Sequence, residues 1–224
     1  MLRLLFLLFS LWQPSEAKVQ TGEITFSALI NNAHLQTDIA YPIGESTDSV
    51  RISTLKFYVM DITFYHGDKK AGEATDRFHL IDISDPSTLK IPYTYKGDIN
   101  QIAFTLGIDS TIASGGPGSG DLDPTKGMYW TWQSGYINAK IEGERSDCTQ
   151  YKSFQYHLGG YQSPNETAIE IFRIINTENM VNISLNVNTF LNTITCSTAA
   201  NVQEPGAEAH RIATLMSACF VVKP

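Results

Sequence analysis

The side chains best suited to chemistry lie in a stretch bounded by two glycines, residues 127–136 (GMYWTWQSGY). It contains Met128, Trp130 and Trp132, which are oxidisable and polarisable. In an extended strand, side chains two positions apart share a face, so these three are predicted to lie together. One interpretation is a hydrophobic core stripe, because aromatic side chains bury a large apolar area. The other is a site where a soft metal or a redox partner meets the protein.

The five histidines form no HxH or HxxxH pair that would indicate a zinc site by local spacing. His79 and His157 are flanked by apolar residues on predicted strands, whereas the other three lie in turns or in a predicted helix. A lone histidine of this kind most often has a structural role. Strands distant in sequence can still meet, so either histidine could contribute to a metal site.

No arrangement typical of an enzyme stands out. The chain has no G-x-S-x-G nucleophile elbow. Acidic residues are plentiful, but nothing singles out a carboxylate pair for glycoside cleavage. We therefore do not expect an enzyme, and a hydrolase ranks last among the functions considered.

A glycine-rich loop, residues 113–120 (ASGGPGSG), precedes the tryptophan stretch. It lacks the Lys-Ser/Thr pair of a phosphate-binding loop. The nearby carboxylates of Asp109, Asp121 and Asp123 suggest a hard cation, since oxygen ligands suit calcium. The glutamate and spacing of an EF-hand are absent, so calcium is not expected.

The elements that must position these side chains read as strands separated by Gly, Pro, Asn and Asp. Alternating or β-branched segments predict about eight strands, at residues 24–30, 50–64, 78–83, 101–108, 128–142, 152–158, 168–175 and 182–187. The length of segment 50–64 indicates a bulge, a bend or two strands end to end. Short helices are predicted at 189–192 and 206–216, and the second has amphipathic spacing at Ala209, Ile212, Ala213 and Met216. The fold class is therefore all-β, an antiparallel β-sandwich with one or two short helices.

The ends and the charge suggest an exported protein. Residues 1–17 combine a basic start, a short apolar run and small residues before Ala17, which predicts a signal peptide. Residues 18–224 are then one β-sandwich domain, periplasmic or secreted, with no membrane insertion. A net charge of −7 argues against nucleic acid as a partner.

The three cysteines allow one disulfide and one free thiol. No CxxC spacing indicates structural zinc. Cys219 lies in an apolar run and is predicted to be a buried thiol. A bridge between Cys148 and Cys196 is the favoured pairing, although spacing alone does not fix it.

Three passages together resemble the MbnP-like family of exported bacterial proteins. They are residues 77–82 (RFHLID), 120–136 (GDLDPTKGMYWTWQSGY) and 154–160 (FQYHLGG), with residues 102–109 (IAFTLGID) fitting as a further strand. The similarity extends over most of residues 18–224. The GMYWTWQSGY and FxxHLGG elements are its specific part.

This resemblance implies a copper-binding β-sandwich. In characterised relatives, a dihaem partner of the cytochrome c peroxidase/MauG type oxidises a tryptophan to kynurenine, on which copper binding depends. Carried over, Trp130 and Trp132 are the candidates for oxidation. His157 is the first candidate ligand for copper, expected as Cu(I) by donor preference, followed by His79 and Met128. Where some relatives have a histidine before the tryptophan strand, this chain has the Asp-Leu-Asp-Pro loop.

A second function from a different class is a non-catalytic recognition or surface-associated module. Tyrosine and tryptophan are favoured at interfaces because they combine apolar area with a polar tip. In that interpretation a glycan or a protein would bind through the two tryptophans together with Tyr93, Tyr95, Tyr129 and Tyr136.

Overall fold

The computed structural model describes residues 18–132, 135–149, 152–176, 180–194 and 201–223. The predicted signal peptide, residues 1–17, lies outside them. The strands are β1 (Val19–Ile30), β2 (Ala33–His34), β3 (Ala40–Pro42), β4 (Ser49–His66), β5 (Lys69–Ala74), β6 (Phe78–Asp82), β7 (Lys90–Lys96), β8 (Gln101–Leu106), β9 (Tyr129–Trp130), β10 (Gly135–Arg145), β11 (Ser153–Gly159), β12 (Ile169–Ile174), β13 (Met180–Asn186), β14 (Asn201–Val202) and β15 (Phe220–Lys223). The α-helices are α1 (Ser110–Ala113), α2 (Val187–Thr193) and α3 (Ala207–Ala218). Single 3₁₀ turns cover Pro86–Thr88, Gly120–Leu122 and Pro124–Lys126.

The predominance of strands confirms the all-β prediction, but the antiparallel sandwich is wrong. The strands form one curled, mixed sheet with the order β14-β11-β10-β4-β5-β7-β1-β13-β15. β1 runs parallel to β13, and β11 runs parallel to β14. The antiparallel prediction assumed that neighbouring strands are joined by short turns. β1 and β13 are separated by most of the chain, so no turn signal could report their direction.

Both predicted helices are present, and α1 is an additional one-turn helix. Asp109 begins α1 by accepting a hydrogen bond from the Ile112 amide. α3 packs Ile212 and Met216 into the main core, as its amphipathic spacing predicted. In the described part of the chain, no helix combines the length and apolar character needed to span a bilayer.

The central strand is β4, which contains the predicted segment 50–64. Of the bulge, the bend and the two strands that its length allowed, the structure has the bulge. Asp61 adopts a positive φ of 53°, and the register with β8 shifts between Met60 and Thr63. The first part of β4, up to Phe57, pairs with β10, and the part from Val59 to Tyr65 pairs with β8 on both sides of the bulge. One strand therefore connects the two halves of the sheet.

The sheet carries a hydrophobic cluster on each face. Cross-strand pairing places four polar residues in a row on what we call the outer face: Asp82, Lys56, Lys140 and His157. Their neighbours form a parallel row on the inner face, which faces the main core: Ile81, Phe57, Ala139 and Leu158. The outer face carries a second cluster, made of Tyr58, Leu80, Ile108, Ala113, Leu122, Met128, Trp130, Tyr136 and Ile137.

The cysteines behave as predicted where they are described. Cys148 is disulfide-bonded, and Cys219 is a buried free thiol whose pKa is raised by burial. Cys196, the predicted partner of Cys148, lies outside the described residues.

Candidate functional site

The tryptophan stretch forms a hairpin instead of the single strand predicted over residues 128–142. β9 contains only Tyr129 and Trp130, and the chain turns at Thr131 before β10 begins at Gly135. The prediction that Met128, Trp130 and Trp132 line one side of a strand is therefore wrong. Met128 is fully buried and Trp130 is 7% exposed, whereas Trp132 is 65% exposed. A strand pattern cannot continue through a turn, which is why the alternation fails at Trp132.

The two indoles nevertheless remain neighbours. Their ring centroids lie 6.0 Å apart, with the planes tilted by 51°. Trp130 pairs with Gly135 across the hairpin and contributes to the second cluster. The hairpin thus joins one buried indole to one exposed indole.

Trp130 rests on Gly159, the last residue of β11. A Cβ atom added at Gly159 would lie 2.5 Å from Cζ3 and 2.8 Å from Cη2 of the indole. Gly159 and His157 are two positions apart on β11, although the pairing of β11 with β10 shifts by one residue between Gly159 and Leu158. The Trp130 ring over Gly159 belongs to the outer cluster, so both positions lie on the outer face. The Trp130 ring therefore lies over Gly159 on the outer face, two positions along β11 from His157.

His157 is held by a carboxylate from the adjacent strand. Its Nε2 atom lies 2.6 Å from Oε1 of Glu142, and the hydroxyl of Thr54 donates to Oε2 of the same carboxylate at 3.0 Å. Burial lowers the pKa of His157 more than the Glu142 hydrogen bond raises it. Burial alone would raise the pKa of Glu142, but hydrogen bonds from His157 and Thr54 lower it overall. A neutral imidazole beside an ionised carboxylate is the resulting state at neutral pH.

Two clefts open beside the hairpin. A cleft of about 270 Å³ is bordered by Trp130, Gly135 and Tyr161, and one of about 560 Å³ is bordered by Trp132, Glu204 and Glu208. Both share Pro205 and Gly206, which precede α3. Each indole therefore faces a recess at the surface.

His79 is separated from this site. It pairs with Val59 of β4, a main-core residue, so it lies on the inner face of the sheet. Its Nε2 atom lies 3.2 Å from the Asp76 carbonyl oxygen, and burial lowers its pKa. The structure does not bring His79 and His157 together, because they occupy opposite faces.

Met128 is also kept away from the clefts. Its side chain is fully buried in the second cluster, and it borders neither cleft beside the indoles. In this position it packs against apolar neighbours.

The aspartates considered for calcium each stabilise local structure. Asp109 caps α1 and pairs with Arg77. Asp121 accepts from the Leu80 amide and pairs with Lys126, while Asp123 accepts from Thr125. Within the residues that the structure describes, no three or more His, Cys, Asp or Glu side chains form a group suited to a metal ion.

The tyrosines proposed for surface recognition are mostly inaccessible. Tyr93 and Tyr95 are each 1% exposed, and Tyr136 is 2% exposed. Only Tyr129, which is half-buried, and Trp132 keep surface in the hairpin region. Recognition through the full set of tyrosines is therefore wrong.

Sequence reasoning missed Glu142 and Gly159. The period of β10 placed Lys140 and Glu142 on its polar face, but their partners depend on the register with β11. Gly159 belongs to the FxxHLGG element, so its importance could have been suspected there. The contact of the Trp130 indole with Gly159 could not have been predicted from the sequence.

Comparisons with known proteins agree with this architecture. Residues 19–207 match the MbnP family model. The fold is similar to that of MbnP from Methylosinus trichosporium, with a TM-score of 0.58 over 85% of this chain and 82% of that chain, at 13% sequence identity. No curated protein matches the sequence significantly. Because the family model covers most of the chain, this protein belongs to the MbnP family.

Proposed function

We propose that this protein is an exported, non-enzymatic copper-binding protein whose site is completed when Trp130 is oxidised to kynurenine. The observation that carries the proposal is the contact of the Trp130 ring with Gly159, two residues from His157 on the same face of β11. Membership of a copper-associated family supports it. A dihaem protein of the cytochrome c peroxidase/MauG type catalyses the oxidation, with dioxygen as the oxidant.

The unmodified residues fit copper only in part. His157 offers an imidazole, a donor that copper accepts. The described residues supply no group of three His, Cys, Asp or Glu side chains, so a further donor is required. His79 on the inner face and the buried Met128 are not included in the proposed ligand set.

Oxidation of an indole supplies that further donor. The indole nitrogen gives its lone pair to the ring and is a poor ligand. Dioxygen cleaves the Cγ–Cδ1 bond and leaves one oxygen on each carbon. Water then hydrolyses the Nε1–Cδ1 bond, which releases Cδ1 as formate and leaves a ketone at Cγ and an aryl amine at the former Nε1. These two groups can coordinate a metal, so copper would be held by His157 and the new residue at position 130.

The geometry favours Trp130 over Trp132 as the residue converted. Trp130 lies next to the strand of His157, whereas Trp132 is mostly exposed. Trp132 is suited to meet the partner protein and to pass an electron from Trp130, because the two rings are 6.0 Å apart.

The test compares protein produced with and without the dihaem partner. Copper(I) affinity should be high only after co-production, and Trp130→Phe should abolish that gain. Trp132→Phe leaves the residue at position 130 available, so it should reach the same affinity once conversion of Trp130 is complete. Equal copper affinity with and without the partner would contradict the proposal.

Binding of another macromolecule is the second candidate function. It is favoured by one observation, the exposed Trp132 ring beside a cleft of about 560 Å³. An exposed indole is a common anchor for a partner. Metal-independent binding of a glycan or protein that Trp132→Ala abolishes would support this function.

A further inference from the structure

Glu142 has a contact that gives it a role toward the proposed copper site. Its Oε1 atom lies 2.6 Å from Nε2 of His157, a distance typical of a strong, charge-assisted hydrogen bond. Its other oxygen accepts from Thr54 at 3.0 Å. The carboxylate is therefore held on two sides by neighbouring strands.

This arrangement determines which imidazole nitrogen carries the hydrogen. An ionised carboxylate can only accept, so the hydrogen of this bond belongs to Nε2 of His157. A neutral imidazole has one N–H, which leaves the lone pair on Nδ1. Glu142 thereby selects the tautomer of His157.

We propose that Glu142 is a positioning residue that makes Nδ1 of His157 the metal-binding atom. Histidines that bind metals commonly donate their other N–H to a carboxylate, which orients the ring and makes it a better donor. This inference rests on the proposed function and adds a residue and an atom to it.

The same carboxylate connects the imidazole to the tryptophan hairpin. Lys140 Nζ lies 3.8 Å from Oε1 of Glu142 and donates to the carbonyl oxygen of Gly127 at 3.3 Å. Gly127 has a left-handed φ of 76° and is followed by Met128 and β9. A chain of polar contacts thus runs from the start of the hairpin to His157.

The first test requires no metal. Nitrogen-15 NMR of the metal-free protein distinguishes a protonated from an unprotonated ring nitrogen. We expect His157 to be protonated at Nε2 and unprotonated at Nδ1 in the unmodified sequence. Glu142→Ala should shift it toward a mixture of tautomers, while Glu142→Gln, which keeps an acceptor oxygen, should retain most of the original form.

The second test measures copper(I) affinity after production with the dihaem partner. Loss of such an outer carboxylate typically lowers metal affinity about 10–100-fold. We expect Glu142→Ala near the upper end and Glu142→Gln near the lower end. Glu144→Gln is the matched control, because Glu144 lies on the same strand but pairs with Arg51 at the surface.

The outcomes separate this inference from the proposed function. If His157 of the metal-free protein is protonated at Nδ1, the role of Glu142 is refuted whatever binds to the protein. If the tautomer is as expected and the co-produced protein still binds no copper, the proposed function fails while tautomer selection stands. Unchanged affinity in Glu142→Ala would also refute the positioning role.

Discussion

Replacing Gly159 by alanine tests whether this residue seats the Trp130 ring beside His157. The added Cβ would lie 2.5 Å from Cζ3 of the indole and 2.5 Å from the carbonyl oxygen of Tyr136. Carbon atoms in ordinary contact are about 3.5–4.0 Å apart, so the ring must retreat by about 1 Å or more. Overpacking of this kind costs about 1–3 kcal/mol of the free energy of unfolding.

The assay is denaturant unfolding followed by tryptophan fluorescence, combined with near-ultraviolet circular dichroism. Gly159→Ala should lower the unfolding midpoint and alter the native spectrum, because the ring has moved. Gly135→Ala is the control on the facing strand. Its Cβ would meet only Tyr161 at 3.7 Å, an ordinary contact, so we expect a change below about 1 kcal/mol.

A double-mutant cycle separates the ring contact from the backbone contact. If the indole causes part of the cost, Gly159→Ala should be less destabilising in a Trp130→Ala background. The reasoning is refuted if Gly159→Ala has the unfolding midpoint and native spectrum of the original protein. In that case the indole does not rest on Gly159, and its proximity to His157 has no support.

Three further predictions concern the site and the fold. Trp132→Phe should slow conversion of Trp130 by the dihaem partner, measured as peptide mass against time, and should not lower the stability of the fold. An unchanged rate of conversion would argue against electron transfer through Trp132. His157→Ala should lower copper affinity in the co-produced protein and cost about 1.5–3 kcal/mol of stability, since one hydrogen bond to a charged carboxylate is lost; a loss of stability with unchanged affinity would indicate a purely structural histidine. The hydrogen bond from Arg145 holds the pKa of Asp147 below its ordinary value of 3.8, so this pair stabilises the fold above that pH and the contribution is lost as the pH falls through the folded-state pKa. Asp147→Asn should therefore make the free energy of unfolding less dependent on pH at acidic pH. An unchanged pH dependence in that range would show that the ion pair contributes nothing to stability.

Local patterns predicted the elements well because each depends on neighbours in sequence. The alternation, β-branching and length of residues 50–64 indicated a bulge, a bend or two strands end to end, and the structure has one strand, β4, with a bulge at Asp61. The spacing of Ile212 and Met216 indicated the buried side of α3. These features follow from periodicity, which needs no knowledge of the partner surface.

The arrangement of the candidate site depends on strand register, which a single sequence does not specify. His79 and His157 both lie among apolar neighbours, yet pairing with Val59 and Lys140 puts them on opposite faces. The contact of His157 with Glu142 likewise arises from the β10–β11 register. A shift of one residue would reverse these faces. This explains why candidate ligands could be named from the sequence, although the sequence did not reveal which of them lie on the same face.

The most direct test of the central claim is peptide mass mapping with copper analysis on protein produced alongside the dihaem partner. The account predicts that the peptide containing Trp130 gains one oxygen and loses one carbon, and that about one copper ion is bound per chain. Intact indoles at both Trp130 and Trp132, with no bound copper, would contradict it.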